Sequence, residues 1–119
     1  MAQEDIEKKV GLAWLCAFYG GMLTEKQRQV MALHCEEDMS LSEIAEAAGI
    51  SRQSVHDMIG RTSRKLIEME QCLGVAGRFR RMQDGLEECR HAMENKQYDK
   101  ACQLLEQLIR LDQEESNGL

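Results

Sequence analysis

The sequence predicts an all-α protein built around a helix-turn-helix, and three observations carry that expectation. Proline is absent, aromatic residues make up only 4% of the chain, and leucine and methionine fill the apolar positions without the alternating β-branched runs of strands. Helix-start patterns recur, with Ser or Thr followed three residues later by Glu or Gln, at Thr24/Gln27 and Ser40/Glu43. Finally, the stretch from Ser40 to Ile59 has the spacing of two short helices crossed through a tight turn.

The first helix is expected from about Glu4 to Tyr19. Val10, Leu12, Ala13, Trp14, Leu15, Cys16 and Phe18 cover more than one narrow stripe, so this helix must be covered on more than one side. Gly20-Gly21 ends it. The second helix starts after Thr24 and turns Val30, Met31, Leu33 and His34 inward. Glu36-Glu37-Asp38 form an acidic connection, read as a solvated loop rather than an acid/base pair.

The third helix, Leu41 to Ala48, begins with the Ser40/Glu43 capping box. Ala45 is small where two helices must approach. Gly49 comes four residues later, where the chain needs a left-handed turn that glycine enters at least cost. Ser51 can cap the next helix, and Ile44, Ile50, Val55 and Met58 supply apolar anchors. The alternative is an ordinary helical hairpin in which Gly49 is merely a C-cap.

The fourth helix shows no stop signal before Gly74, which makes it long for a recognition helix. Val55, Ile59, Thr62, Leu66, Met69 and Leu73 form one seam along it. The first half of the seam closes the helix-turn-helix, and the second half must pack on something else. At 100° per residue, Gln53, Asp57, Gly60, Arg61 and Arg64 point away from the seam, where a DNA groove would lie.

Gly74-Val75-Ala76-Gly77 is expected to break the chain, giving a helix-turn-helix domain over 1–73 and a C-terminal helical hairpin over 74–119. The hairpin helices are expected at about Arg78 to Met93 and Tyr98 to Leu111, joined at Asn95-Lys96-Gln97, with a frayed polar tail from Glu115. Ala92, Tyr98 and Ala101 around the turn give it a likeness to a single tetratricopeptide unit. One such unit cannot bury its own face, so it reads as an appendage for docking or dimerisation.

Charge is unevenly distributed. The net charge is −6, yet residues 51–82 carry seven Lys/Arg against three Asp/Glu, while 1–50 and 83–119 each carry four against nine. The basic stretch therefore coincides with the fourth helix and the residues just after it. The five cysteines are odd in number and form no C-x-x-C pair, which fits reduced core thiols rather than disulfides or zinc ligands. The three histidines are scattered, and no metal or cofactor is expected. No nucleophile–base arrangement or phosphate-cradling glycine loop is present, so the chain is not read as an enzyme. No apolar run reaches the ~20 residues of a membrane span. The acidic start lacks a signal-peptide pattern, and a cytoplasmic protein is expected.

The candidate DNA-binding residues are Ser51, Arg52, Gln53, Ser54, His56, Asp57, Arg61, Arg64 and Lys65. The cations suit phosphates, which position a protein without reading sequence. Gln53 and Ser54 lie in the first turn, where base edges are reached and Gln can pair with adenine. Asp57 repels phosphate unless it accepts from cytosine N4. The competing reading of the whole set is a solvated helix surface.

Leu23-Thr24-Glu25-Lys26-Gln27-Arg28-Gln29, Leu41-Ser42-Glu43-Ile44-Ala45-Glu46 and Ile50-Ser51-Arg52-Gln53-Ser54-Val55-His56-Asp57 together resemble the YlxM family of bacterial proteins. That family is itself similar to region 4 of sigma factors in its first part. Phe18-Tyr19 and Arg61-Thr62 also match, and the resemblance is strongest from Leu12 to Leu73. It implies an all-helical, cytosolic homodimer with a sigma-like helix-turn-helix, DNA contacts at Arg52, Gln53, Ser54 and His56, and a role in the signal recognition particle pathway, beside whose genes the family is found. The sequence departs from the family at His56, often Tyr, and at Gly60, often Lys, which removes a cation from the presumed DNA face.

Two function classes are compatible with these features. One is a DNA-binding regulator; the other is a protein- or RNA-binding accessory of the signal recognition particle, for which the same scaffold serves as a docking module. The breadth of apolar surface on the first helix and along the fourth predicts a homodimer, with Trp14, Phe18, Leu66, Met69 and Leu73 at the interface.

Overall fold

The computed structural model describes the backbone of residues 2–117 and the side chains of 9–114. Among them there are six α-helices and one 3-10 turn, and no strand: α1 (Ala2–Tyr19), the 3-10 turn (Gly20–Met22), α2 (Glu25–Cys35), α3 (Leu41–Ala48), α4 (Arg52–Leu73), α5 (Val75–Glu94) and α6 (Tyr98–Asn117). The chain divides into two compact units, 1–76 and 77–119. The first unit extends three residues beyond the expected boundary because Ala76 is fully buried in its core.

Local chemistry sets the helix starts. Thr24 and Ser40 each form a complete capping box, accepting from the backbone N–H of Gln27 at 3.2 Å and Glu43 at 3.1 Å while those side chains accept in return. The ends are set as locally. Gly74 lies in the left-handed region at φ 63° and caps α4. This single residue suffices to end α4, so α5 starts at Val75 rather than at Arg78, where a four-residue break would have placed it. Likewise α6 continues to Asn117, because Gln113-Glu114-Glu115 contain no breaker; Gly118 and Leu119 lie outside the described residues.

The first unit has two adjoining cores. One holds Val30, Ile44, Ala48 and Val55, with Ala45, Ile50 and Met58 packed around them, and closes the helix-turn-helix. The other holds Leu12, Tyr19, Leu23, Met31, Leu66 and Ala76, with Trp14, Phe18, Cys35 and Met69 beside them. Ile59 packs against both. The rear of the α4 seam is thus covered by α1, within the same chain.

That packing corrects the expected subunit interface at Leu66. Leu66 is 0% exposed against α1 and α2 residues, so it is a core residue contributing about 1.5–3 kcal/mol by burial and cannot meet a partner. Trp14, Phe18 and Met69 pack on the same core, and the Trp14 indole Nε1 donates to the carbonyl of Ala76 at 3.2 Å. Trp14, Phe18 and Met69 stay partly exposed, and Leu73 is 52% exposed.

A polar junction ties α1 to the α4–α5 corner. The buried Tyr19 hydroxyl donates to Glu70 Oε1 at 2.6 Å and accepts from Val75 N at 3.2 Å, and Ala76 N donates to the same carboxylate at 3.1 Å. Two otherwise orphaned N–H groups at the start of α5 are thereby satisfied. Burial, followed by the hydrogen bond to Glu70, pushes the Tyr19 hydroxyl above its usual pKa.

The cysteines are free but are not all core thiols. Cys89 is buried, Cys16 and Cys35 are half-buried, and Cys72 and Cys102 are exposed on α4 and α6. Burial, reinforced by nearby Cys16, pushes Cys35 up to about 11. In the acidic connection, Asp38 takes a left-handed conformation (φ 51°) and meets Lys9 at 2.6 Å, which holds its carboxyl below the ordinary range.

In the second unit α5 and α6 form a tight hairpin. Cys89, Ala92, Ala101 and Leu108 are buried between them, and a Cβ on Gly85 would lie 2.2 Å from the Leu108 side chain, so glycine is what allows this approach. Lys96 turns the chain in the left-handed region (φ 60°), with Gln97 N donating to Ala92 O at 2.8 Å and Lys96 N to Met93 O at 3.0 Å. Ala92 and Ala101 are both buried beside the turn, whereas Tyr98 is exposed.

Candidate nucleic-acid interface

The site begins at Gly49. It sits at φ 70° and ψ 32°, and its N–H donates to Ala45 O at 2.9 Å while Ile50 N donates to the same carbonyl at 3.2 Å. This turn swings the chain so that Ser51, in extended conformation, caps α4 by accepting from Ser54 N at 3.0 Å. Lys26 of α2 adds a brace that sequence reasoning missed: its Nζ donates to Ala48 O at 2.7 Å, satisfying a carbonyl at the negative end of α3. No local pattern announces it, since the partners lie 22 residues apart.

All nine proposed DNA-facing residues are exposed, but their local roles differ. Ser51 is spent on the cap, its hydroxyl also donating to Ser54 Oγ at 2.8 Å, so it positions the helix. Arg52, Gln53 and Ser54 form the open first turn. Gln53 Nε2 donates to Asp57 Oδ1 at 3.0 Å, one turn along, and His56 Nδ1 lies 3.6 Å from the same oxygen. Asp57 is therefore an acceptor already occupied by its neighbours, and Gln53 must leave it to read a base. Arg61 and Arg64 continue the exposed face. Lys65 turns aside, its Nζ donating to Met22 O at 3.3 Å, so its charge is held at the α1–α2 connection. Gly60 lies between the arginines and the first turn, with open space where a Cβ would be.

The geometry is that of a helix-turn-helix whose second helix presents a polar, largely basic first half and is gripped by two cores behind it. Among the described residues no helix is long and apolar enough to cross a membrane.

Comparison with known proteins agrees with this geometry. The pattern of the family described as "Putative helix-turn-helix protein, YlxM / p13 like" matches residues 6–108. A UPF0122 protein of Shouchella clausii is 38% identical over 108 residues, which is 90% of this chain and 99% of that protein. One from Symbiobacterium thermophilum is 40% identical over 91 residues, covering 76% and 82% of the two chains. One from Geobacillus kaustophilus is 42% identical over 82 residues, covering 69% and 74%. With a matched family pattern over most of its length and relatives of this similarity, the chain belongs to the UPF0122 family of YlxM/p13-like helix-turn-helix proteins.

Proposed function

We propose that this protein is a cytoplasmic DNA-binding regulator that docks the first half of α4 in a major groove. The observation that carries the reading is the Gly49 turn followed by the open first turn of α4, with Arg52, Gln53 and Ser54 exposed and Arg61 and Arg64 further along the same helix. Arg52, Arg61 and Arg64 contact phosphates, and Gln53 and Ser54 face base edges. Binding of the purified protein to duplex DNA across a salt series tests it. Arg64→Ala should weaken binding on every sequence alike and flatten the salt dependence by about one unit; Gln53→Ala should relax preference at one base position. Absence of duplex affinity at low salt would dismiss the reading.

A homodimer belongs to the same proposal, because two recognition helices address two half-sites. Leu73 in the first unit supports it, as do the exposed apolar residues Leu86 and Met93 on α5 and Leu105 and Ile109 on α6 in the second. Sedimentation equilibrium should give twice the chain mass of 13.6 kDa. Leu73→Asp should restore the single-chain mass while helicity is kept.

The net charge of −6 and Asp57 on the reading face favour a second function, that of an accessory which binds the signal recognition particle's protein or RNA through the same module. Saturable binding to those components, with none to duplex DNA, selects it.

A further inference from the structure

Behind the reading face, within the first unit, lies a cavity of about 560 Å³ between α1, α2 and α4. This is within the usual volume of small-ligand sites, roughly 300–1,000 Å³. Its apolar wall is Leu12, Ile59 and Ile67, all aliphatic. No aromatic ring is among the described lining residues, so nothing offers a stacking platform for a base or planar ring. Its polar rim is Lys9, His34 and Arg64, with no carboxylate among the described lining residues. Lys9 is already engaged by Asp38 at 2.6 Å, which leaves the exposed Arg64 guanidinium as the principal anion fork. Ser63 also lines the cavity, and its buried Oγ has no hydrogen-bond partner among the described residues. Gly60 leaves the wall open, since a Cβ there would meet nothing within 4 Å.

We infer that this cavity is an effector site for an aliphatic carboxylate, its chain along Leu12, Ile59 and Ile67 and its head group on Arg64. The chemistry is dictated by the lining. Aliphatic walls select a flexible hydrocarbon, and one planar guanidinium fork matches one planar carboxylate through paired N–H···O bonds. The regulatory consequence rests on the DNA-binding reading: Arg64 serves both the cavity and the reading face, so a bound carboxylate withdraws that cation from phosphate. The two ligands then weaken each other by the same factor.

Decanoate is the probe, titrated into the full-length protein with nitrogen-15 labelling. Saturable amide shifts at Leu12, His34, Ser63 and Arg64 are expected. Decanol, which lacks the anion, and acetate, which lacks the chain, should each bind at least about tenfold more weakly, a difference of about 1.4 kcal/mol. Gly60→Leu fills the cavity from a position with room for it and should abolish binding while helicity is kept; Arg64→Gln should weaken it about tenfold. Shifts that do not saturate, equal binding of decanol, or unchanged binding to Gly60→Leu would overturn the site. A second arm measures duplex DNA affinity with and without decanoate. Decanoate binding with no DNA binding by the protein alone leaves the site standing and removes the DNA reading. DNA binding indifferent to saturating decanoate overturns the coupling.

Discussion

Replacing Tyr19 by Phe would remove one oxygen and, on this structure, loosen the corner where α4 gives way to α5. The hydroxyl makes two bonds, donating to the Glu70 carboxylate at 2.6 Å and accepting from Val75 N at 3.2 Å. A hydrogen bond to a charged partner is worth about 1.5–3 kcal/mol and a neutral one about 0.5–1.5 kcal/mol. Val75 is partly exposed and water can replace its lost acceptor, so the lower part of the combined range applies, about 2–3 kcal/mol. For a unit of this size each kcal/mol moves the melting midpoint by roughly 4–8 °C, giving a loss of roughly 10–20 °C. Trp14 is the only tryptophan and donates to Ala76 beside the junction, so its fluorescence during thermal or urea unfolding reports this unit. A pH arm adds an independent signature. The folded state raises the Tyr19 pKa, so the associated stability is complete below the ordinary tyrosine value near 10 and is lost as pH rises through the folded one. Tyr19→Phe should lack that alkaline slope. A midpoint shift below about 3 °C, or an unchanged alkaline slope, would refute the assignment of the corner to this hydroxyl.

Other expectations rest on single residues. Thr62 is buried with Oγ1 unpartnered among the described residues, so Thr62→Val should leave stability unchanged or raise it by about 1–2 kcal/mol in urea titration; a clear loss would mean the hydroxyl has a partner. Gly85→Val should destabilise the α5–α6 hairpin by about 1–3 kcal/mol, read by hydrogen exchange at Cys89 and Ala92, because its side chain would collide with Leu108; unaltered protection would disprove the close crossing. Iodoacetamide at pH 8 should label exposed Cys72 and Cys102 well before Cys35, whose pKa of about 11 leaves it about a hundredfold less thiolate than an ordinary thiol; comparable rates, followed by peptide mass spectrometry, would contradict that burial.

What the sequence discloses and what it withholds divide along a physical line. Thr24, Ser40, Gly49, Ser51 and Gly74 act within one helical turn of themselves, so their roles are visible in spacing alone. The exposed face of α4 is equally legible, because helical periodicity fixes which residues oppose a seam. The partner of that seam is not: periodicity alone sends Leu66 to a second subunit, and only the path of α1 shows it satisfied within one chain. The Tyr19–Glu70 bond spans 51 residues and the Lys26–Ala48 brace 22, distances at which sequence spacing carries no information. Gly85 is a glycine inside a helix, but its reason, the approach of Leu108, exists only in three dimensions. The cavity below Arg64 is a similar case, assembled from three helices.

The shared packing of Ile59 has a mechanical consequence. With 22 residues at 1.5 Å each, α4 is a rod about 33 Å long, gripped from its first turn by one core through Val55 and along its rear by the other through Leu66. A rod pinned at two places along its length moves only together with both of its grips. Arg52 and Gln53 lie within one turn of Val55, so the angle at which they meet a ligand is set by Val30, Ile44 and Ala48, and a change in how α1 seats against Leu66 reaches them only by tilting that core as well.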